Sequence, residues 1–183
     1  MMSDLELRAI ASKIKLMAFD VDGVMTNGDL IFDENGVEYK MFNVHDGQGI
    51  ELLHKAGIIP AIITKRNNGT VAHRAKILGI TELKMGVKNK IDAFEEIREK
   101  YGFSYDEISY MGDDLPDICV LEKVGLACAP ANAVDEVKEV SRFITIKAGG
   151  QGAVRELCEL VLKSQSHDLR KLLETQAKVR CGT

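Results

Sequence analysis

The feature that most constrains this chain is a set of short apolar runs, at 16–19, 58–63 and 108–111, each of which breaks off abruptly into polar residues. Runs that are apolar on both alternating faces suit strands covered on both sides of a sheet. Segments with helical periodicity fall between and after them, at 70–78, 91–101, 134–140 and 153–163, with further short strands at 83–87, 124–129 and 143–146. A chain that alternates in this way is confined to βαβ units, whose right-handed crossovers lay helices on both faces of an open sheet. The expected fold class is therefore α/β, a three-layer Rossmann-like open parallel sheet.

Two segments depart from the alternation near the first run. Ahead of it, Leu5, Leu7, Ile10 and Ile14 recur at helical spacing and predict a short helix over 4–13. After it, residues 30–32 and 37–42 alternate about Asn35-Gly36, which predicts a β-hairpin flap over about 29–42 with a type I′ turn. A helix over 47–57 follows, with Ile50, Leu52 and Leu53 turned inward and Gly57 at its end. With 183 residues the chain fits one domain. Residues 1–163 read as a single catalytic domain with no separate cap, and 164–183 as a polar, basic tail, a loose helix or disordered.

A formal net charge of −4 leaves no strong basic field to recruit nucleic acid or an anionic membrane, so small ligands are the expected partners. Cys119, Cys128, Cys158 and Cys181 lack the spacing of a zinc site and read as reduced, structural thiols. No apolar run reaches the ~18 residues of a membrane span and the first residues lack a signal-peptide core, so a cytoplasmic location is expected.

The chemistry-bearing residues collect where strands end. The first run stops at Asp20-Val21-Asp22-Gly23, the second at Thr64 and the run at 108–111 at Gly112-Asp113, while Lys90 opens the helix after the short strand at 83–87. Ligands of open α/β sheets bind outside the carboxyl ends of strands, so these residues are placed to converge. Side chains alternate along extended chain, which turns Asp20 and Asp22 to one side. Two carboxylates so close need a cation or a shared proton, and an oxygen-only cluster suits Mg²⁺. An Asp-rich turn or helix cap is the alternative for DVDG taken alone.

DVDG at 20–23, Thr64, Lys90 and GDDLPD at 112–117 together resemble the four motifs of haloacid dehalogenase superfamily phosphatases. Over about 15–163, the segments DVDGVMTNG, FNVHDGQGI, ITKR, NKIDAF and AGGQGAVREL are similar to the branch that acts on phosphorylated 3-deoxy sugar acids. The resemblance implies a Mg²⁺-dependent phosphomonoesterase for 3-deoxy-D-manno-octulosonate 8-phosphate in lipopolysaccharide precursor synthesis, or for a nine-carbon nonulosonate 9-phosphate. A non-catalytic oligomeric binding module is the reading from outside the enzymes.

On this resemblance Asp20 is the nucleophile that forms an aspartyl-phosphate, and Asp22 protonates the leaving alkoxide and later deprotonates water. Thr64 bonds a phosphoryl oxygen and Lys90 neutralises it, with Lys88 as the fallback for that lysine. Mg²⁺ is held by Asp20, the backbone carbonyl of Asp22, and Asp113. Asp114 and Asp117 either lie behind the metal ligands or cap a helix. The sugar acid is expected to meet Asp22, Asn43, Val44, His45, Asp46, Gly47, Arg66, Arg74 and Lys90, with an Arg fork on its carboxylate. His45 and Glu51 stand where the branch often has Arg, and Thr64-Lys65-Arg66 replaces Thr-Gly-Arg. Without a cap, a homotetramer closed by the hairpins is implied.

Overall fold

The structure, a computed structural model, describes residues 2–180, with 175–180 as backbone only. Helix α1 (Asp4–Ala11) starts at a capping box, in which Ser3 Oγ accepts from the Glu6 N–H and Glu6 Oε2 accepts from the Ser3 N–H at 2.8 Å. The fully buried strand β1 (Leu16–Phe19) follows. A hairpin of β2 (Ile31–Phe32) and β3 (Glu38–Tyr39) stands apart from the main sheet. The chain continues through α2 (Val44–Lys55), β4 (Ile59–Ile63), α3 (Gly69–Ile77), β5 (Glu82–Lys84) and α4 (Lys90–Tyr101). After β6 (Ile108–Met111) come α5 (Ile118–Leu121), β7 (Leu126–Ala129), α6 (Asp135–Val140), β8 (Phe143–Ile144), α7 (Ala153–Ser164) and α8 (Leu169–Arg180).

The main sheet has the order β5-β4-β1-β6-β7-β8, and every pairing in it is parallel. β1 is central, and the chain first builds outward through β4 and β5 before crossing to β6 on the other side. The strand order therefore reverses at β1, and its carboxyl end opens into the crevice where such sheets bind ligands.

Strand alternation divides the core in two. Met17, Phe19, Ile62, Met111 and Cys128 face one side, under α1, α2 and α7. Leu16, Ala18, Ala61, Ile63, Ile108 and Tyr110 face the other, under α4, α5 and α6. Helix α7 buries Ala153, Val154, Leu157, Cys158, Val161 and Leu162, the i, i+3/i+4 stripe that the sequence shows. Leu157 is fully buried, so Leu157→Ala would cost about 2–5 kcal/mol through lost transfer energy and a residual cavity.

Two expectations need correcting. The hairpin turn is not type I′: Gly36 has φ +77° whereas Asn35 does not have positive φ. The Gly36 N–H donates to Asp33 O at 3.0 Å and the Asp33 N–H to Val37 O at 3.1 Å, a type I turn closed by a glycine bulge. Asp33 favours it, because Oδ1 accepts from the Asn35 and Val37 N–H groups. Helix α2 begins at Val44 rather than Gly47, since Asn43 Oδ1 accepts from the His45 N–H and caps it one turn earlier. Of the two readings of the tail, the helix is the one found, as α8, whose Leu169 and Leu172 pack on the core beside α7. Cys119, Cys128 and Cys158 are free thiols, and Cys181 lies outside the described residues.

Candidate active site

The loop leaving β1 is fixed from several directions. The Asp20 N–H donates to Met111 O at 3.0 Å, so the sheet hydrogen bonding extends to the first carboxylate. Gly23 follows at φ +83°, and a Cβ there would lie 1.9 Å from Asp113 Oδ2, so any other residue would strain the backbone and displace the Asp113 carboxylate. Asn132 Nδ2 donates to Gly23 O at 3.0 Å while its Oδ1 accepts from the Gly149 N–H at 2.6 Å. The Gly150 N–H donates to Val24 O at 3.0 Å. The loops after β7 and β8 thus together clamp the loop after β1.

Beneath the loop lies a chain of charged groups. Lys90, at the start of α4, is buried with its Nζ 3.0 Å from Asp20 Oδ2 and 2.6 Å from Asp117 Oδ1. Tyr110 donates its hydroxyl to Asp117 Oδ1 at 2.6 Å, and Asp117 Oδ2 accepts from the N–H groups of Asp113 and Asp114. Burial pushes the Asp20 carboxyl upward, with Lys90 opposing and Asp117 adding to the effect. Burial works to lower Lys90, but Asp20 and Asp117 outweigh it and hold the ammonium charged. Asp113 is pushed up to about 7, by burial first and then by Asp20 and Asp117.

Asp22 faces the hairpin. Lys40 Nζ pairs closely with Asp22 Oδ1 and lies 2.8 Å from Glu38 Oε1. Arg66 Nε lies 3.4 Å from Asp22 Oδ2, and Arg66 Nη1 lies 3.5 Å from Glu38 Oε1. Asp20, Asp22, Thr64, Arg66, Lys90 and Asp113 all line one cavity of about 300 Å³. A larger open hollow of about 770 Å³ at Lys13, Gly57, Asp106 and Gln165 lies beside α1 and the chain entering β1, away from these carboxylates, and we assign it no chemistry.

Asp20, Asp113 and Asp117 carry carboxylate oxygens within 4.8 Å of one another. Asp117 is fully engaged by Lys90, Tyr110 and two backbone N–H groups, whereas Asp113 Oδ1 is buried with no hydrogen-bond partner. An orphaned buried carboxylate oxygen beside a second carboxylate is an unbalanced negative charge. Hard oxygen donors of this kind fit Mg²⁺, which Asp20 and Asp113 would hold with Asp117 behind them.

A sequence profile of haloacid dehalogenase-like hydrolases matches residues 62–157. The chain is 43% identical over 160 residues to the 3-deoxy-D-manno-octulosonate 8-phosphate phosphatase KdsC of Escherichia coli (strain B / BL21-DE3), covering 87% of this chain and 85% of that protein. It belongs to that phosphatase family, among the haloacid dehalogenase-like hydrolases. The crystal structure of 3-deoxy-D-manno-octulosonate 8-phosphate phosphatase from Moraxella catarrhalis, in complex with magnesium ion, phosphate ion and KDO, superposes with a TM-score of 0.89 at 40% identity, covering 93% of this chain and 98% of that one. The Yersinia pestis phosphatase gives a TM-score of 0.86 at 39% identity, covering 87% and 86%.

Of the residues expected to serve a phosphatase of this family, one group converges and another does not. Asp20, Asp22, Thr64, Arg66, Lys90 and Asp113 share the cavity, and Lys88 is an exposed residue of a neighbouring cleft, so Lys90 is the lysine that reaches Asp20. Val44, Gly47 and Arg74 line a separate cavity of about 340 Å³ with Glu51, and His45 is exposed. Asn43 caps α2 and donates from Nδ2 to Gly150 O at 3.2 Å. Asp46 is buried, with Oδ1 accepting from the Arg155 N–H at 2.8 Å in the first turn of α7. In this structure Asn43 and Asp46 hold helix ends rather than reaching the cavity. Asp114 Oδ1 accepts from the Leu115 N–H, and Asp117 completes a capping box while also anchoring Lys90. Lys40, Glu38 and Tyr110 escaped sequence reading: the first two sit at i, i+2 on a hairpin, where charge reads as solvated, and Tyr110 reads as core.

Proposed function

We propose that this chain is a Mg²⁺-dependent phosphomonoesterase that hydrolyses 3-deoxy-D-manno-octulosonate 8-phosphate to the free sugar acid and phosphate, in lipopolysaccharide precursor synthesis. The observation that carries this reading is the pairing of Asp20 with Lys90 beside the orphaned Asp113 oxygen, with Asp22 across the same cavity. The likeness to a phosphatase whose structure holds magnesium, phosphate and KDO supports it.

Asp20 attacks phosphorus in line, the ester P–O bond breaks, and Asp22 gives its proton to the departing sugar alkoxide. Water then attacks the aspartyl-phosphate, its proton passes to Asp22, and the bond to Asp20 breaks to release phosphate. Thr64 donates to a phosphoryl oxygen and Lys90 neutralises charge on it and on Asp20. Mg²⁺, held by Asp20, Asp113 and the backbone carbonyl of Asp22, supplies charge neutralisation for the phosphoryl oxygens. Arg66 meets the sugar carboxylate at the mouth of the cavity.

Residues 1–163 serve as one catalytic domain, and the hairpin replaces a cap. Leu30, Phe32, Val37 and Met41 are half-exposed or more on a hairpin whose two strands have two residues each, more apolar surface than so small a projection keeps in water. A homotetramer in which the hairpins cover one another accounts for it. Free thiols at Cys119, Cys128 and Cys158 suit a cytoplasmic setting. Among the described residues no helix is long and apolar enough to cross a membrane. Phosphate release from a panel of eight- and nine-carbon 3-deoxy ulosonate phosphates and ordinary hexose phosphates tests the reading. Preference for the eight-carbon acid supports it, and equal turnover of hexose phosphates refutes it.

A further inference from the structure

The hairpin is exposed along most of its length, but two of its charged side chains, Glu38 and Lys40, turn inward. Tyr39 and Met41 are 52% and 69% exposed, yet the Lys40 side chain between them is 1% exposed. Its ammonium sits between two carboxylates, Asp22 from the β1 loop and Glu38 from its own strand. Glu38 is held in turn, with Oε2 accepting from Asn68 Nδ2 at 3.1 Å and Oε1 facing Arg66 at 3.5 Å. Lys40 and Arg66 balance Asp22 and Glu38, so the four groups form a neutral cluster at the cavity mouth. The Arg66 side chain is 43% exposed and lies 3.4 Å from Asp22, which makes it the looser of the two cations. A buried charged donor is the stronger restraint, because leaving either carboxylate unpaired there is costly.

We infer that Lys40 is a positioning residue for the reaction: it reaches from the hairpin to hold the Asp22 carboxylate where it can accept the proton of the water that hydrolyses the aspartyl-phosphate. The inference rests on the acid–base reading of Asp22 given above. Arg66 is free to turn to the sugar carboxylate during the cycle because Lys40 keeps Asp22 in place without it. The hairpin therefore contributes to the chemistry as well as to assembly.

The consequence separates the two steps. An aryl phosphate with a good leaving group forms the aspartyl-phosphate without needing a proton from Asp22, but hydrolysis of that intermediate needs Asp22 whichever substrate formed it. Rapid mixing of p-nitrophenyl phosphate with the Mg²⁺-loaded protein tests this. Lys40→Met should release a burst of nitrophenolate approaching one per site, trapped as acid-quenched phosphoenzyme, and then turn over about ten- to a hundredfold slower than the native protein, the range expected for a lost hydrogen bond to a charged group. Lys40→Arg, which keeps the charge, should recover part of the steady-state rate and shrink the burst. A hairpin merely loosened by the substitution would slow both steps and give no burst, which overturns the assignment, as does an unchanged steady-state rate. Asp22→Asn is the reference. A burst with Asp22→Asn but none with Lys40→Met removes Lys40 alone, whereas no burst with either removes the acid–base role of Asp22 and the assignment with it. Circular dichroism of each variant accompanies the kinetics, so that a burst is read only from folded protein.

Discussion

Replacing Asp113 by Asn should stabilise the metal-free protein and abolish its response to Mg²⁺. The carboxylates of Asp20, Asp113 and Asp117 approach within 4.8 Å, and Lys90 is shared by Asp20 and Asp117 but not by Asp113. At an effective dielectric of ~20, like charges at that separation repel by about 3 kcal/mol, and the nearby ammonium offsets part, leaving about 1–2 kcal/mol. The sign follows from the raised carboxyl of Asp113: the folded protein holds its proton up to about pH 7 whereas the unfolded chain loses it near the ordinary value of 3.8. Stability of the metal-free form is therefore fully present below about pH 4 and falls as pH rises towards about 7. Asn carries no such penalty. At pH 8 with a chelator, Asp113→Asn should melt about 2–8 °C above the native sequence. Saturating Mg²⁺ at about a hundred times its Kd should raise the native protein by about 2.7 kcal/mol, or about 5–10 °C, and leave Asp113→Asn unmoved. Thermal unfolding with and without Mg²⁺ measures all four values. An Asp113→Asn protein that melts below the native one in chelator and still gains from Mg²⁺ would refute both the charge argument and the ligand assignment.

Asp20→Asn should abolish turnover while the protein remains folded, because an amide is a poor nucleophile; Mg²⁺-dependent phosphate release from purified variant would remove Asp20 from that role. Arg66→Ala should raise KM for the sugar acid phosphate well above any change for a neutral aryl phosphate, and equal losses on both would show that Arg66 serves the phosphoryl group instead. Replacing 31–37 by a short Gly/Ser turn should yield smaller species in light scattering, with sugar-phosphate turnover falling more than aryl phosphatase activity; an unchanged mass would dismiss the hairpin as the assembly element. Asp46→Ala should cost about 1–2 kcal/mol of stability through the lost contact with α7, with KM little altered, and a large KM effect at unchanged melting temperature would return Asp46 to the substrate.

The strands were legible because parallel strands buried on both faces leave unbroken apolar runs, and the convergence of Asp20, Thr64 and Asp113 follows from strands that all end at one edge of a parallel sheet. The position of Lys90 was legible for a related reason: the cap at Asn89 starts α4, and the first helical residue points into the crevice. What could not be read was the use of side chains across the fold. Asp46 and Arg155 are 109 residues apart, and no local pattern tells a carboxylate that caps a distant helix from one that meets a ligand. Lys40 resembles any charge on a two-stranded projection until the hairpin folds over the cavity. The turn at Asn35-Gly36 was misread because its dipeptide satisfies two turn types, and the choice lay with Asp33.

The clamp on the β1 loop sets an order of events during synthesis. Asp20, Asp22 and Gly23 are made early, but their strand partners β4 and β6, the Asn132 amide and the Gly149-Gly150 backbone come later, the last of them more than a hundred residues on. At about 5–20 residues per second, the nascent chain carries Asp20 and Asp22 for on the order of ten seconds before the clamp is made, and for about the first half of that time Lys90 is missing as well. The central strand, apolar on both faces, is unpaired at both edges until β4 is made and at one edge until β6 is made. A ribosome stalled between about residue 65 and residue 107 therefore presents a chain whose middle strand has β4 as its one available neighbour and whose loop is still open, which is the species a chaperone would meet.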